Sequence, residues 1–175
     1  TTQNIFVPKG GIETDQGHKT FDEVAEALAQ GVDKFLSDPA RAVEVLGGVQ
    51  NAGIPGRVAE AQTWGEVVLE SKTIDHPYFK GANVHTPAMI KLSKADHARY
   101  TAECFGPVSF VIACEDGDDC IATARNTAMA HGAITAGLYS NSADVQDKMV
   151  EACLDAHVAL SMNLNGGVFV NQTAA

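Results

Sequence analysis

The sequence predicts an α/β fold: a parallel sheet with helices on both faces, three layers in all. Three observations predict it. From Ser109 onward, strand-like and helix-like stretches alternate, a rhythm that gives right-handed crossovers and parallel pairing. Ser109 to Cys114 is apolar on both faces, as the buried strand of a parallel sheet must be. Thr20 with Glu23 three residues on forms a capping box, and apolar residues then recur at helical spacing. A chain of 175 residues, 45% hydrophobic, can bury one sizeable core, so residues 1–175 are expected to form one domain.

Taken in order, Gln3 to Val7 is a short strand ended by Pro8, and Gly10-Gly11 make the turn after it. The capped helix carries Phe21, Val24, Leu28, Val32, Phe35 and Leu36 down to Asp38. Asp38-Pro39 opens a second helix, with Ala42, Val43 and Leu46 facing inward and Gly47-Gly48 stopping it. Pro55 to Trp64 predicts a third, with Gly65 as its C-cap. Glu66 to Glu70 alternates weakly as a strand, and Ser71 to His85 has the turn residues of a surface loop. Pro87 to Leu92 is the next strand, and Asp96 opens a helical turn. After the strand Ser109 to Cys114, the acidic run from Glu115 to Asp119 sits at a helix N-terminus, where the dipole favours it. It lacks the ligand spacing of a calcium loop. Cys120 to Ala130 is that helix. Then come a strand at Ala133 to Tyr139, a helix at Ala143 to Ala156, and strands at Val158 to Met162 and Gly167 to Asn171.

Composition excludes several function classes. A net charge of −10 argues against a phosphate-backbone partner, so no nucleic acid is expected. No run of eighteen apolar residues is present, so no membrane span is expected, and no signal peptide opens the chain. The chain starts at Thr1, which reads as a processed product or a piece of something longer. Cys104, Cys114, Cys120 and Cys153 lack CxxC spacing and read as reduced thiols of a cytoplasmic protein. The six histidines show no metal-ligand spacing, and His131 and His157 fall where a helix C-terminus favours a cation. No metal site is expected. No Gly-x-Ser-x-Gly elbow occurs, so serine hydrolase chemistry has no support.

One stretch carries chemistry: Glu103-Cys104-Phe105-Gly106-Pro107-Val108, running into Ser109 to Cys114. Gly106 and Pro107 break the preceding helix, so Glu103 and Phe105 sit at a loop-to-strand junction beside a cleft. From the residues alone, two readings stand: a ligand-holding pair, or a solvated Glu with a Phe covering the core.

Glu-x-Phe-Gly-Pro-Val resembles the signature of the aldehyde dehydrogenase superfamily, near the end of its catalytic domain. Thr1 to Pro8 resembles the strand after that family's nucleophilic Cys, and Tyr78-Phe79 with Pro87 resembles the segment leading to the signature. The opening, Gly17 to Val24 and Asn165 to Asn171 resemble the phenylacetic-acid degradation branch, PaaN. The resemblance implies an aldehyde dehydrogenase catalytic-domain fragment. It implies that Glu103 hydrogen-bonds the nicotinamide ribose of NAD or NADP and that Phe105 packs near the nicotinamide ring.

It also implies which parts are elsewhere. The nucleophile falls directly before Thr1, and the general-base Glu and mononucleotide-binding half lie further upstream, so no catalytic residue is assigned here and the isolated chain is expected to be inactive. The implied substrate is a small-molecule semialdehyde of aromatic catabolism, and the implied complete enzyme is a homo-oligomer. Arg57 matches loosely a position on the adenosine side, although its residue context favours a solvated surface arginine. Ala102 stands where many members have a second Glu, and Met129 to Ala133 replaces a shorter motif, which puts the substrate class in question. A rival reading is a non-catalytic remnant that binds acyl-CoA or a partner subunit. A weaker one is an acylating or glutamyl-phosphate-reducing relative.

Overall fold

The computed structural model describes residues 2–164. They divide into two compact units, one ending at Asp116 and the other beginning at Gly117. The first contains β1 (Asn4–Pro8), β2 (Ile12–Thr14), β3 (Gly17–Lys19), α1 (Phe21–Phe35), α2 (Pro39–Leu46), α3 (Ile54–Ala61), β4 (Glu66–Leu69), β5 (Thr73–Ile74), β6 (Val84–His85), β7 (Ala88–Ser93), α4 (His97–Tyr100) and β8 (Val108–Cys114). The second contains α5 (Gly117–His131), β9 (Thr135–Leu138), α6 (Ala143–Ala156) and β10 (Ala159–Met162). The strand expected at Gly167 to Asn171 lies outside the described residues.

The first unit is built on a four-stranded sheet in the order β1-β8-β7-β4. β8 is central and parallel to both neighbours, with Phe110 opposite Asn4 on one side and Ile90 on the other. Its side chains alternate between two cores, as strand geometry requires. Phe110 and Ile112 join Ile90 and Leu92 of β7 under α3, which contributes Ile54, Val58 and Ala61. Trp64 stacks on Phe110 with centroids 5.7 Å apart, and Tyr100 meets Phe6 edge-on. Val111 and Met89 face the other way, against Ala25 and Ala29 of α1. The expected three layers are thus complete within this unit.

α1 has the predicted capping box, with the Thr20 N–H donating to Glu23 at 2.8 Å. That bond, with the one from the Thr20 hydroxyl, holds the Glu23 carboxyl below its ordinary value. Lys91 of β7 pairs with Asp22 at 2.7 Å and Glu66 at 2.8 Å, joining α1 to the sheet edge.

Several details differ from expectation. β4 is antiparallel to β7, with a register shift between Val67 and Leu69, so the sheet has one antiparallel edge. The segment from Ser71 to His85 is not all loop: β5 and β6 form a ribbon, and Val84 is fully buried. An additional hairpin, β2 with β3, precedes α1. Its residues are mostly exposed, so they carry no apolar alternation to be recognised by. The third helix ends at Ala61, capped by Gln62, so Gly65 is not its C-cap. Gly65 answers a different demand. A Cβ there would lie 2.1 Å from the Lys91 carbonyl oxygen, so the backbone of β7 approaches too closely for any side chain.

In the second unit β9 and β10 are parallel, in register from Thr135 with Ala159 to Leu138 with Met162. α5 and α6 pack with them through Ile121, Met149, Ala152 and Cys153. Asp118 and Asp119 occupy the first turn of α5, where the dipole argument places acidic residues. His131 closes α5, and His157 caps α6 in the left-handed conformation at φ 55°. Among the described residues no helix is long and apolar enough to cross a membrane.

The close approach at Gly65 gives a direct test. Gly65→Ala is expected to lower stability by about 1–3 kcal/mol, the usual cost of forcing atoms into packed space. A shift of the urea midpoint at unchanged slope measures it; an unshifted midpoint would mean that β4 and β7 lie further apart.

Candidate functional site

The chain must pass from the C-terminus of α4 into the buried strand β8, and Tyr100 to Pro107 cover that distance without a regular ladder of their own. Three side chains from other elements supply the missing bonds. Gln3 donates from Nε2 to the carbonyls of Tyr100 (3.0 Å) and Ala102 (2.9 Å), and its Oε1 accepts from the Cys104 N–H at 2.8 Å. Asn4 Nδ2 donates to the same Tyr100 carbonyl at 2.9 Å. Arg57 Nη1 donates to the Phe105 carbonyl at 2.6 Å, a charge-assisted bond. At the far end the Pro107 carbonyl accepts from the Ala88 N–H at 2.8 Å, the first rung against β7.

Gly106 lets α3 close on this loop. A Cβ there would lie 3.2 Å from Ile54 Cγ2 and 3.3 Å from Val58 Cγ2, tighter than side chains ordinarily pack. The break at Gly106-Pro107 is therefore also a packing requirement, beyond the helix-stopping chemistry visible in the sequence.

On this pinned backbone, side chains alternate. Cys104 points into the core at 6% exposure, while Glu103 is exposed and Phe105 is 65% exposed. The Glu103 carboxylate makes no hydrogen bond or ion pair among the described residues. Both predicted residues are thus exposed on the same loop; the solvated Glu of the alternative reading is seen, whereas its core-covering Phe is not.

Residues 18–165 match the aldehyde dehydrogenase family, a span that includes Glu103 and Phe105. The chain belongs to that family. Its fold is similar to that of a solved NAD-dependent aldehyde dehydrogenase from Burkholderia multivorans, with a TM-score of 0.93 and 48% identity. The match covers 99% of this chain and 31% of that one, so the chain spans about a third of the length of that relative. No curated protein gives a match.

Three of the four cysteines are poorly placed for nucleophilic work, and the fourth, Cys120, is half-buried in α5 rather than enclosed as its apolar neighbours in the sequence suggested. Cys104, Cys114 and Cys153 are buried. Burial raises the thiol pKa of Cys104, with the nearby Arg57 charge opposing it in part, and burial alone raises that of Cys153. No group of three or more His, Cys, Asp or Glu side chains able to hold a metal ion occurs among the described residues. Arg57 is half-buried on the surface, as its sequence reading had it, but it has a task that reading did not foresee: one of its five guanidinium N–H groups donates to the signature backbone. The signal was present in the sequence, since Ile54, Arg57, Val58 and Ala61 follow one another at i, i+3, i+4 and i+7, the spacing of a buried stripe. Gln3 and Asn4, two amides opening a strand, had no such periodic signal.

The thiol chemistry has a pH signature. Cys104 and Cys153 hold their protons more tightly folded than unfolded, so stability is unaffected below the ordinary thiol value of 9.0 and falls as pH rises past it. At pH 8, alkylation of Cys104, followed by peptide mass spectrometry, should run roughly tenfold or more slower than in the urea-unfolded chain. Equal rates would mean an accessible, activated thiol.

Proposed function

We propose that the chain is the C-terminal portion of the catalytic domain of an NAD(P)-dependent aldehyde dehydrogenase, contributing Glu103 and Phe105 to the nicotinamide side of the cofactor site. The observation that carries this reading is the exposed, unpaired carboxylate two residues from an exposed phenyl ring, on a loop whose backbone is held by Gln3, Asn4 and Arg57. The pair suits the cofactor's chemistry. A carboxylate accepts two hydroxyl hydrogen bonds, as a ribose diol offers, and a phenyl ring takes a planar heterocycle against it. When bound, the dinucleotide supplies the hydride acceptor. The chain's own part is to hold the ribose through Glu103, limit ring motion through Phe105 and present both without reorganisation.

The nucleophilic thiolate, in this reading, comes from a Cys directly preceding Thr1 in a longer polypeptide, which the 31% coverage of the Burkholderia relative favours. The substrate is a semialdehyde from aromatic ring degradation, phenylacetate catabolism in particular, and the complete enzyme is a cytoplasmic homo-oligomer. The resemblance of the opening, Gly17 to Val24 and Asn165 to Asn171 supports the phenylacetate branch.

Incubated alone with aldehyde and NAD(P)⁺, the chain is expected to form no NAD(P)H above a heat-treated control. Restoring the upstream segment should bring activity, with the ring-derived semialdehyde preferred over short aliphatic aldehydes. Sustained turnover by the chain alone sinks the division of labour; absence of a Cys before Thr1 in the full reading frame removes the nucleophile.

A further inference from the structure

The three bonds of the Gln3 amide are distributed in a specific way. Two of them hold the peptide groups on either side of Glu103: the Ala102 carbonyl at 2.9 Å and the Cys104 N–H at 2.8 Å. The third, to the Tyr100 carbonyl at 3.0 Å, anchors the loop where α4 ends. A primary amide is the one side chain that fits this set, because it offers two donors and an acceptor in one plane. Glutamate lacks the donors, lysine and arginine lack the acceptor, and asparagine is one methylene shorter. Gln3 is itself fixed, since its carbonyl accepts from the Phe110 N–H at 2.6 Å, and the preceding Thr2 carbonyl accepts from Ser109 Oγ at 2.6 Å. The amide therefore transfers the rigidity of the β1–β8 pairing to the backbone of Glu103.

We propose that Gln3 is a positioning residue for Glu103: its side-chain amide sets the direction in which that carboxylate meets the cofactor ribose. The proposal rests on the reading of Glu103 as a cofactor contact. Gln3 touches neither cofactor nor substrate. Its removal frees two peptide planes, so Glu103 samples several directions and must be ordered again on each binding event.

The test uses the longer enzyme with its nucleophile-bearing segment in place. Gln3→Ala is expected to raise the KM for NAD(P)⁺ roughly tenfold, the scale of one or two lost hydrogen bonds. The KM for aldehyde should stay within about twofold, because the loss is confined to the ribose contact. Combined with Glu103→Ala, it should add less than about twofold to the effect of Glu103→Ala alone, the non-additivity of two residues acting as one. Independent multiplication of the two effects, or equal rises in both KM values, overturns the proposal as mere destabilisation. Glu103→Ala raising the cofactor KM while Gln3→Ala does not overturns the role of Gln3 and leaves the site reading standing; no effect of Glu103→Ala takes down both. If Gln3→Ala does not fold, Gln3→Glu replaces it, keeping the acceptor for the Cys104 N–H but facing the Ala102 carbonyl with a carboxylate; a cofactor KM equal to that of the parent then overturns the proposal. On the chain itself, amide exchange at Cys104 should accelerate in Gln3→Ala, and unchanged exchange overturns the claim.

Discussion

A buried parallel strand can be entered only if the backbone leading to it finds hydrogen-bond partners, since unpaired buried peptide groups cost about as much as several favourable contacts supply. β8 is such a strand, paired on both sides and covered on both faces. The segment before it cannot be helix, because Gly106-Pro107 forbids it, and has no ladder neighbour until Pro107. Its polar groups are met by side chains instead. Those side chains come from Gln3 just before β1, from Asn4 at its start and from α3, far apart in sequence. Solving the entry problem and holding the Glu103–Phe105 loop in place are one event.

The same entry explains why helices sit where they do. α3 closes on the loop because Gly106 presents no side chain, and that closeness lets Arg57 reach the Phe105 carbonyl from its own helix. On the opposite face α1 covers Val111 and Met89, and Lys91 ties its first turn to β4. β4 runs antiparallel at the edge, where it needs to satisfy only one neighbour, and its irregular register does not propagate inward. Deviations from ideal sheet geometry are thus kept away from β8 and the loop feeding it.

What the sequence made legible follows from what periodicity and local chemistry record. α1, α2 and α6 were found with their boundaries nearly intact because caps and apolar spacing are local signals. β8 was legible because burial on both faces leaves an unbroken apolar run. The hairpin β2–β3 and the ribbon β5–β6 were not, since two- and three-residue strands have no period to detect. Gly65 shows a subtler limit. Its position after a helix suggested a cap, whereas its cause is a carbonyl from a strand some twenty-five residues on. Glu103 and Phe105 were accessible through their motif, but the residues that hold them were not, because Gln3 acts at a separation of 101 residues from Cys104.

The alternation at residues 103 to 105 also decides which groups are available for chemistry. Glu103 and Phe105 are exposed while the residue between them is buried. Any thiol at position 104 is carried into the core, deprived of solvent and held protonated. The arrangement that exposes Glu103 and Phe105 therefore buries the cysteine between them. Gln3, directly before β1, meets the peptide groups on both sides of Glu103, so the same loop that buries Cys104 is tied to the start of the central pairing.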